Sequence, residues 1–372
     1  MRYLDRSGFE ALLLLLADRG YEVIGPTVRD GAIVLDRIDG IDDLPRGIRE
    51  IHEPGSYRLE QAGDDRFFAW AHGPDAGKRF LFPARETVMT GRREAEGGLD
   101  LRPEPIPEVR YAFVGLRSCD LHAIEIQDRV FLNADPAYRA RRENAVFIGV
   151  NCEVPGATCF CTSMGTGPRC SMGFDLALTE LEDGGFTAEA GTDVGEELLR
   201  ALGAAPAGQE QAAASFAATS RAVEAMGREL DTSDLPALLY RNREHPRWDD
   251  VASRCLTCTN CTMVCPTCFC HDLTDEISLD GLRAARTREW ASCFSEEFSH
   301  MSFGEVRSSP RSRYRQWLTH KFASWIDQFG TSGCVGCGRC VTWCPVGIDV
   351  TEEIAAIRAA DGEVRLADEV TT

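Results

Sequence analysis

The sequence predicts a chain of two unlike domains, a mixed α/β (α+β) domain over residues 1–245 and a cysteine-rich domain over residues 246–350. Three observations predict this division. Short apolar runs alternate with turn residues in the first part, as expected for strands and helices that pack together. After Pro246 the apolar runs become short, and the cysteines of the C-terminal half all fall between Cys255 and Cys344. Residues 351–372 predict a helix followed by an acidic tail.

Charge and composition exclude several classes of protein. The 372 residues include 40 Lys and Arg against 59 Asp and Glu, which gives a formal net charge of −19. So negative a chain is not expected to bind nucleic acid or an anionic membrane surface. No apolar run reaches the roughly 18 residues that a membrane span needs, and no basic head or cleavage site marks a signal peptide. We therefore expect a cytoplasmic protein, in which 16 cysteines indicate metal binding or redox chemistry rather than disulfides.

The first hundred residues predict one helix and several strands. The apolar run at residues 11–17 follows Ser7 and Glu10, whose spacing is that of a capping box, so a helix is expected to begin there. Apolar runs bounded by turn residues predict strands at residues 21–25, 32–35, 67–70 and 79–82.

Two buried strands further along deliver cysteines to one edge of the predicted sheet. The strand at residues 112–115 leads to Cys119 and a helix over residues 121–131, and the strand at residues 145–150 leads to Cys152. Open α/β sheets bind ligands at the carboxyl ends of their strands, so these cysteines lie where a site is expected. Helices are also predicted at residues 196–202 and 209–230.

The strongest motif is a cysteine run that occurs twice. Each run has the spacing Cys-x2-Cys-x2-Cys-x3-Cys-Pro, and the cysteines are Cys255, Cys258, Cys261 and Cys265, then Cys334, Cys337, Cys340 and Cys344. This is the ligand pattern of bacterial-type ferredoxins with two [4Fe–4S] clusters, in which the last cysteine of each run ligates the other cluster. We therefore expect a ferredoxin-like dicluster domain with one cluster on Cys255, Cys258, Cys261 and Cys344, and another on Cys334, Cys337, Cys340 and Cys265.

Zinc is the alternative metal for such cysteines, because paired Cys-x2-Cys motifs also build zinc sites. The protein would then be a zinc-stabilised binding module rather than a redox protein. Zinc sites need neither a third cysteine at the same spacing nor the final Cys-Pro, and both features occur twice here. The pattern therefore favours iron–sulfur clusters.

A long insert, residues 266–333, separates the two runs and is expected to be helical. It contains Cys268, Cys270 and Cys293, to which the sequence assigns no role. It also carries a basic run, and three interpretations of that run stay open: a solvated helix face, compensation of cluster charge, or a docking face for a partner. The basic residues are Arg307, Arg311, Arg313, Arg315 and Lys321.

A third cluster site is a hypothesis for the N-terminal domain. Its candidate ligands are Cys119, Cys152, Cys159 and Cys161, with Asp120 as a spare oxygen ligand. The alternative is a set of buried, unreactive cysteines, since free cysteine packs as a small hydrophobic residue. Cys170 is expected to bind nothing, and His122 is expected to be structural.

Motifs of several enzyme classes are missing. No GxGxxG follows a predicted strand, no P-loop is present, and no nucleophile elbow or HExxH occurs. The chain itself therefore offers no catalytic residues, and we expect a component that carries electrons rather than a complete enzyme.

Several strings outside the ferredoxin-type runs resemble a known family. The chain is similar to the beta subunit of cytoplasmic sulfhydrogenase-type [NiFe] hydrogenases and to the related iron–sulfur subunit of anaerobic sulfite reductase. Its N-terminal region is more similar to the hydrogenase subunit. The strings that carry the resemblance are Phe80-Leu81-Phe82-Pro83, Cys119-Asp120-Leu121-His122-Ala123, Cys159-Phe160-Cys161-Thr162-Ser163-Met164-Gly165, Cys265-Pro266-Thr267-Cys268-Phe269-Cys270 and Trp290-Ala291-Ser292-Cys293.

The resemblance implies an iron–sulfur electron-transfer subunit of a multi-subunit oxidoreductase. The partners it implies are a [NiFe] large subunit, a small iron–sulfur subunit, and a flavin- and NAD(P)-binding subunit. An electron-transfer subunit of an anaerobic sulfite reductase is the alternative assembly.

Overall fold

A computed structural model describes residues 1–94 and 97–370, and for residues 362–370 it describes the backbone alone. The strands in chain order are β1 (Arg2–Leu4), β2 (Glu22–Arg29), β3 (Ala32–Arg37), β4 (Ile48–Glu53), β5 (Ser56–Gln61), β6 (Arg85–Arg93), β7 (Leu99–Pro103), β8 (Tyr111–Leu116), β9 (Val146–Val150), β10 (Leu176–Glu180), β11 (Phe186–Ala190), β12 (Ala205–Pro206), β13 (His271–Ile277), β14 (Arg283–Trp290), β15 (His300–Met301) and β16 (Gly304–Glu305).

The helices in chain order are α1 (Arg6–Asp18), α2 (Lys78–Leu81), α3 (Ser118–Phe131), α4 (Pro136–Glu143), α5 (Asp193–Ala201), α6 (Gln209–Glu224), α7 (Leu235–Arg241), α8 (Arg247–Arg254), α9 (Asn260–Met263), α10 (Pro310–Thr319), α11 (Trp325–Phe329), α12 (Arg339–Thr342) and α13 (Val350–Val370). A π-helical turn, His320–Ser324, joins α10 to α11. Among the described residues, no helix is long and apolar enough to cross a membrane.

The N-terminal domain is built on a mixed sheet. Within the described chain, eight strands pair in the order β12-β1-β11-β10-β9-β8-β2-β3. The four central strands, β10, β9, β8 and β2, are parallel to one another, and the outer strands pair antiparallel. The mixed α/β prediction is therefore confirmed, and the carboxyl ends of β8 and β9 lie side by side.

Alternating side chains of the central strands enter two different apolar cores. Val146, Ile148 and Val150 pack into the core that includes α1 and α5, whereas Phe147 packs into the core that includes α3 and α4. This period of two follows from strand geometry, because successive side chains point to opposite faces. Apolar layers on both faces bury the sheet and fix the ends of β8 and β9 in place.

The insert between the cysteine runs is only partly helical. Its first half is a hairpin, β13 and β14, that pairs antiparallel with β6 and extends a sheet in the order β13-β14-β6-β7. Its second half is the helical segment from α10 to α11. The expectation of a helical insert is therefore wrong for the hairpin, which pairs with a strand of the N-terminal part nearly 200 residues away, a partner that local sequence does not reveal.

A separate apolar core supports the cysteine runs. It collects aromatic and aliphatic side chains from α7, α8, α10, α12 and α13, with Trp248, Tyr314 and Trp317 among the largest. The predicted C-terminal helix is confirmed as α13, which runs to Val370, and residues 371 and 372 lie outside the described residues. The domain boundary near residue 245 stays a prediction, and α7 on its N-terminal side packs in the same core.

Three local predictions were wrong for identifiable reasons. Helix α1 is capped two residues earlier than predicted, because Asp5 rather than Ser7 accepts a hydrogen bond from a first-turn backbone N–H, that of Gly8, at 2.8 Å. Residues 79–81 belong to the short helix α2 and Phe82 is its C-cap, so no strand forms there. Helix α6 ends at Glu224, short of the predicted residue 230.

The segment at residues 67–70 is buried but forms no strand. Its backbone N–H groups are satisfied by a carboxylate, since Phe67 and Phe68 both donate to Glu180 at 2.7 Å. Ala71 and His72 donate in the same way to Glu50 at 2.6 Å. Buried backbone donors need partners, and two buried carboxylates here take the place of a neighbouring strand.

Candidate iron–sulfur centres

The first thiol group consists of Cys255, Cys258, Cys261 and Cys344. Cys344 and Cys258 lie close enough to Cys255 for their charges to act on its pKa, and we call such residues electrostatic neighbours. Cys261 has Cys255, Cys258 and Cys344 as electrostatic neighbours. The last cysteine of the second run therefore lies beside the first three cysteines of the first run. The Ile348 N–H also donates to the Cys344 sulfur at 3.3 Å, a contact that suits a thiolate.

The space between these thiols fits a cluster. All four line one pocket that is partly open to solvent. Tyr314 and Trp317 line the same cavity, and the Tyr314 hydroxyl and the Trp317 indole N–H are buried without a hydrogen-bond partner. Buried donors normally have acceptors, and the sulfur atoms of a cluster bound here would accept the hydrogen bonds of the Tyr314 hydroxyl and the Trp317 indole N–H.

The second thiol group consists of Cys265, Cys334, Cys337 and Cys340. Cys265 is an electrostatic neighbour of each of the other three, and burial raises the pKa of Cys334 to about 12. The Gly336 N–H donates to the Cys334 sulfur at 3.4 Å, and Lys321 Nζ donates to the Cys265 sulfur at 3.2 Å. This group therefore has the same crossed composition, with a buried ammonium group beside it.

Glycines allow the second run to approach the N-terminal domain. Gly336 and Gly338 have φ of +65° and +76°, and a Cβ atom there would lie 2.6 Å from the Phe160 carbonyl oxygen and 2.3 Å from the Thr158 carbonyl oxygen. The Phe160 N–H also donates to the Gly336 carbonyl at 2.8 Å. Glycine is required here both by backbone conformation and by close contact.

A buried ion pair joins the second run to the sheet edge. The guanidinium of Arg339 lies 2.8 Å from the Asp120 carboxylate, and its Nε donates to the Gly73 carbonyl at 2.9 Å. Asp120 lies at the start of α3, directly after β8, and is the salt-bridge partner of Arg339. The expectation that it is a spare metal ligand stays a prediction. Arg339 was not singled out from the sequence, where it occupies an unremarkable position between two cysteines.

The N-terminal thiol group, Cys119, Cys152, Cys159 and Cys161, is buried. Cys161 and Cys152 are neighbours of Cys159, and Cys161 is a neighbour of Cys119. Burial raises the pKa of the Cys161 thiol to about 12. The four predicted cysteines thus lie in one region, and Cys337 of the second thiol group is a neighbour of three of them.

His72 lies beside the N-terminal thiol group and was not singled out from the sequence. Its Nε2 is 3.6 Å from the Cys159 sulfur and also contacts the Cys337 carbonyl oxygen. Burial, followed by the charge of Arg339, holds the pKa of His72 well below its usual range, so its ring is neutral. His122 instead lies near the surface, with its Nε2 3.2 Å from the Ser171 hydroxyl, which agrees with a structural role.

Cys170 lies close to the N-terminal thiol group but packs in a different core. Its backbone N–H donates to the Asn151 side chain at 2.7 Å, and its sulfur lies against Gly149 and among residues of α3. The expectation that it binds nothing stays a prediction.

The three remaining cysteines, Cys268, Cys270 and Cys293, form the hairpin thiol group. Cys293 is the neighbour that most strongly lowers the pKa of the Cys270 thiol. Cys265 is the neighbour that most strongly raises the pKa of the Cys268 thiol. The sequence assigned no role to these residues, and their proximity depends on the unpredicted hairpin.

The basic run of the insert does not form one surface. Arg311 and Arg315 pair with Glu244 at 2.8 and 2.9 Å. Arg313 is buried and donates to backbone carbonyls, including that of Phe294 at 3.2 Å. Lys321 is the member that lies against a cysteine of the second thiol group.

A mixed α/β domain joined to a domain with two crossed groups of four thiols defines an iron–sulfur protein of the two-cluster ferredoxin type. Residues 254–348 match the family model of the 4Fe-4S dicluster domain. The chain is 32% identical over 325 residues to sulfhydrogenase 2 subunit beta of Pyrococcus furiosus, which covers 86% of this chain and 94% of that protein. The chain therefore belongs to the sulfhydrogenase beta-subunit family and carries [4Fe–4S] clusters, so the predicted family and cofactor are confirmed. No solved structure matches it.

Proposed function

We propose that this chain is the electron-transfer subunit of a cytoplasmic multi-subunit oxidoreductase, and that it relays electrons between a [NiFe] hydrogenase module and a flavin- and NAD(P)-binding subunit. The observation that carries the proposal is the crossed composition of the first and second thiol groups, which suits two adjacent clusters. Bound [4Fe–4S] clusters supply one-electron transfer, with potentials that the surrounding protein sets.

The residues of this chain would hold the clusters, orient the ligand sulfurs and shield the clusters from water. Each thiol group would ligate one cluster, and backbone N–H groups such as those of Gly336 and Ile348 donate to ligand sulfurs. Tyr314 and Trp317 limit the access of water to the first group. No residue of the chain is required to transfer a proton or to act as a nucleophile.

Electrons would enter or leave at the first thiol group. Cys258 is exposed, and its neighbours Leu256 and Val346 are 61% and 38% exposed. The second thiol group includes the buried Cys337 and lies against the N-terminal domain. A partner that docks over Leu256 and Val346 would therefore approach the first cluster most closely.

A third cluster on the N-terminal thiol group is part of this proposal. Cys119, Cys152, Cys159 and Cys161 lie together beside the second thiol group, at the carboxyl edge of the parallel strands. The test is a Cys161→Ser variant of the full chain with Cys170→Ser as the buried control. Loss of about four iron atoms from the first variant alone would support the third cluster, and equal iron in both would contradict it.

The assembly is tested by the proteins that co-purify with the chain from its own cells without oxygen. A nickel-containing large subunit together with a flavoprotein is the expected result. A sirohaem-containing subunit would instead support the sulfite reductase assembly, and a chain that purifies alone as a metal-free protein would contradict both.

A further inference from the structure

We propose that two copies of this chain pair through the outer edge of β7, as antiparallel strands in which Leu101 of one copy lies opposite Leu101 of the other. The sheet β13-β14-β6-β7 of each copy would then continue into the sheet of the second copy. The clusters do not use this surface, so the inference does not depend on the proposed function.

Strand β7 has one edge that is free to pair. Within the described chain, β7 is the last strand of its sheet and pairs with β6 alone. The Glu104 N–H donates to the Val88 carbonyl at 3.1 Å, so the even-numbered positions of this segment direct their backbone groups towards β6. Because that direction alternates along a strand, the N–H and C=O groups of Leu99 and Leu101 point away from β6. Such an edge is a template for pairing with another chain.

The sequence of β7 is complementary to itself in the antiparallel direction. The strand reads Leu99, Asp100, Leu101, Arg102 and Pro103. When Leu101 lies opposite its own copy, each Asp100 lies opposite the Arg102 of the other chain, and each Leu99 lies opposite a Pro103. Opposite charges directly across a strand pair are favourable, and like charges are unfavourable. A twofold contact requires a surface that is self-complementary in this way.

The two charged side chains lie on one face of β7. Within one copy, the guanidinium of Arg102 is 2.6 Å from the carboxylate of Asp100. In the pair, each charged group would keep this neighbour along its own strand and gain an opposite charge across the strands. The result is a square of alternating charges, which holds the two strands in a single register.

Exposed apolar side chains lie on the opposite face. Leu99 and Leu101 are 59% and 55% exposed. A Cβ atom at Gly91 would lie 2.9 Å from Leu101 Cδ2 and 3.6 Å from Leu99 Cδ1, so both leucines extend over β6. Leu101 is in register with Gly91, which is in register with Ala284, and Ala284 is in register with Ile277. Pairing would place the leucines of the two copies side by side and join these two apolar rows.

The backbone groups at the free edge would find partners in this register. The Leu101 N–H of each copy would donate to the Leu101 carbonyl of the other, and the Leu99 N–H would donate to the Pro103 carbonyl. Pro103 has no N–H, so the ladder ends at this residue. All residues of β7 other than the half-buried Asp100 are exposed, which leaves the strand accessible to a second copy.

The opposite edge of the sheet lacks this complementarity. Strand β13 is exposed at every residue, and in the described chain it is the other outer strand of the sheet. Antiparallel pairing of two copies about its central Thr274 would place Asp272 opposite Glu276, which is a like-charge pair, and Leu273 opposite Asp275. Pairing of this chain with itself is therefore expected at β7 and not at β13.

The first test measures the association of the full chain by sedimentation velocity over a concentration series, with the clusters bound, without oxygen and with a thiol reductant. We expect the wild-type chain to convert from monomer to dimer as its concentration rises. Leu101→Lys places two like charges at the twofold axis and should weaken the dimer by at least about tenfold. Leu273→Lys is the matched control, because Leu273 is 50% exposed on β13, and it should leave association unchanged.

A charge exchange identifies the partner as a second copy. Arg102→Asp places each new carboxylate opposite Asp100 of the other copy and should weaken the dimer by about tenfold. The double variant Asp100→Arg, Arg102→Asp restores opposite charges in a pair of identical chains, so it should dimerise as the wild type does. EPR signals of the clusters show that each variant is folded. A wild-type chain that remains monomeric, a dimer that Leu101→Lys leaves intact, or a double variant that fails to dimerise would overturn the proposal.

Hydrogen exchange provides a second measurement on the wild-type chain. The outward N–H groups of Leu99 and Leu101 exchange freely in a monomer and are hydrogen-bonded in the proposed dimer. We expect the exchange of residues 99–103 to slow as protein concentration rises, while that of residues 271–277 stays constant. Slower exchange in residues 99–103 only when other proteins are added would show that this edge binds a different partner, and it would overturn the proposal.

Discussion

The two cysteine runs have the same spacing but lie in opposite surroundings. The first run is near the surface, and its Cys258 is exposed. The second run lies against the N-terminal domain, and its Cys337 is buried. The same ligand pattern can therefore serve a cluster that meets a partner and a cluster that is enclosed by the chain.

The residues between the cysteines also differ between the exposed first run and the buried second run. Gly336 and Gly338 of the second run correspond to Thr257 and Thr259 of the first, and all four have positive φ. Threonine is disfavoured in that conformation, yet the first run has it at both positions. The ferredoxin-type loop dictates the positive φ in both runs, and the contacts with Phe160 and Thr158 dictate glycine in only one.

The two thiol groups also differ in the charged residues that surround them. Buried Lys321 donates directly to a sulfur of the second group, whereas the buried cation beside the first group, Arg313, donates to backbone carbonyls. Nearby positive charge stabilises the more negative, reduced form of a cluster. We therefore expect the second cluster to have the higher reduction potential.

The largest expected effect is the loss of a whole cluster. Cys258→Ser and Cys337→Ser should each remove or convert one cluster and stop electron flow, because each replaces a ligand of a different thiol group. Iron content and EPR spectra of the two variants measure this. Full iron content together with full activity in either variant would contradict the ligand assignment.

Cys337→Ser should also destabilise the protein more than Cys258→Ser, since it affects a buried site at the contact between two domains. The midpoint of thermal unfolding under anaerobic conditions measures the difference. Equal midpoints would indicate that burial of the second group contributes little.

Substitution of the loop glycine is the next largest effect. Gly338→Ala should destabilise the fold by at least about 2 kcal/mol, because the new Cβ would collide with the Thr158 carbonyl. Thr259→Gly is the matched change in the first run and should alter stability by less than about 1 kcal/mol, since relief of positive φ is offset by backbone entropy. Similar losses in both variants would show that the two loops are not distinguished by their packing.

A smaller effect is expected from the buried ammonium group. Lys321→Met removes a charged donor to the Cys265 sulfur, an interaction worth about 1.5–3 kcal/mol. If that energy acts on the reduced cluster alone, the potential of the second cluster falls by about 65–130 mV, because about 1.4 kcal/mol corresponds to about 59 mV for one electron. A redox titration followed by EPR measures the shift, and Lys321→Arg, which keeps the charge, should restore most of it.

The smallest effect concerns the first cavity. Tyr314→Phe removes a neutral donor worth about 1 kcal/mol, so the potential of the first cluster should fall by less than the Lys321→Met shift, and that of the second should stay constant. The same titration measures both potentials. A change in the reduction potential of the second cluster would show that the Tyr314 hydroxyl acts on that cluster and contradict its assignment to the first.

The sequence predicted the parts of the molecule that depend on local pattern. The eight cysteines of the two runs, the parallel strands that lead to Cys119 and Cys152, and helices α3 and α13 follow from spacing and periodicity. The family and its [4Fe–4S] clusters followed from strings of adjacent residues.

The parts that were missed depend on contacts between distant residues. The pairing of β14 with β6 joins residues nearly 200 positions apart, and it anchors the hairpin that brings Cys293 to Cys270. The Arg339–Asp120 ion pair and the contact of His72 with Cys159 likewise connect segments far apart in the chain. Residues 67–70 have the composition of a strand, but the buried carboxylate of Glu180 satisfies their backbone instead.

The most direct test of the crossed thiol groups is the EPR spectrum of reduced Cys344→Ser protein, compared with the spectra of Cys258→Ser and Cys337→Ser. Cys344 belongs to the second run in sequence but lies with the first run in space. We predict that Cys344→Ser alters the same cluster signal as Cys258→Ser and leaves the other signal intact. Alteration of the signal that Cys337→Ser removes would contradict it.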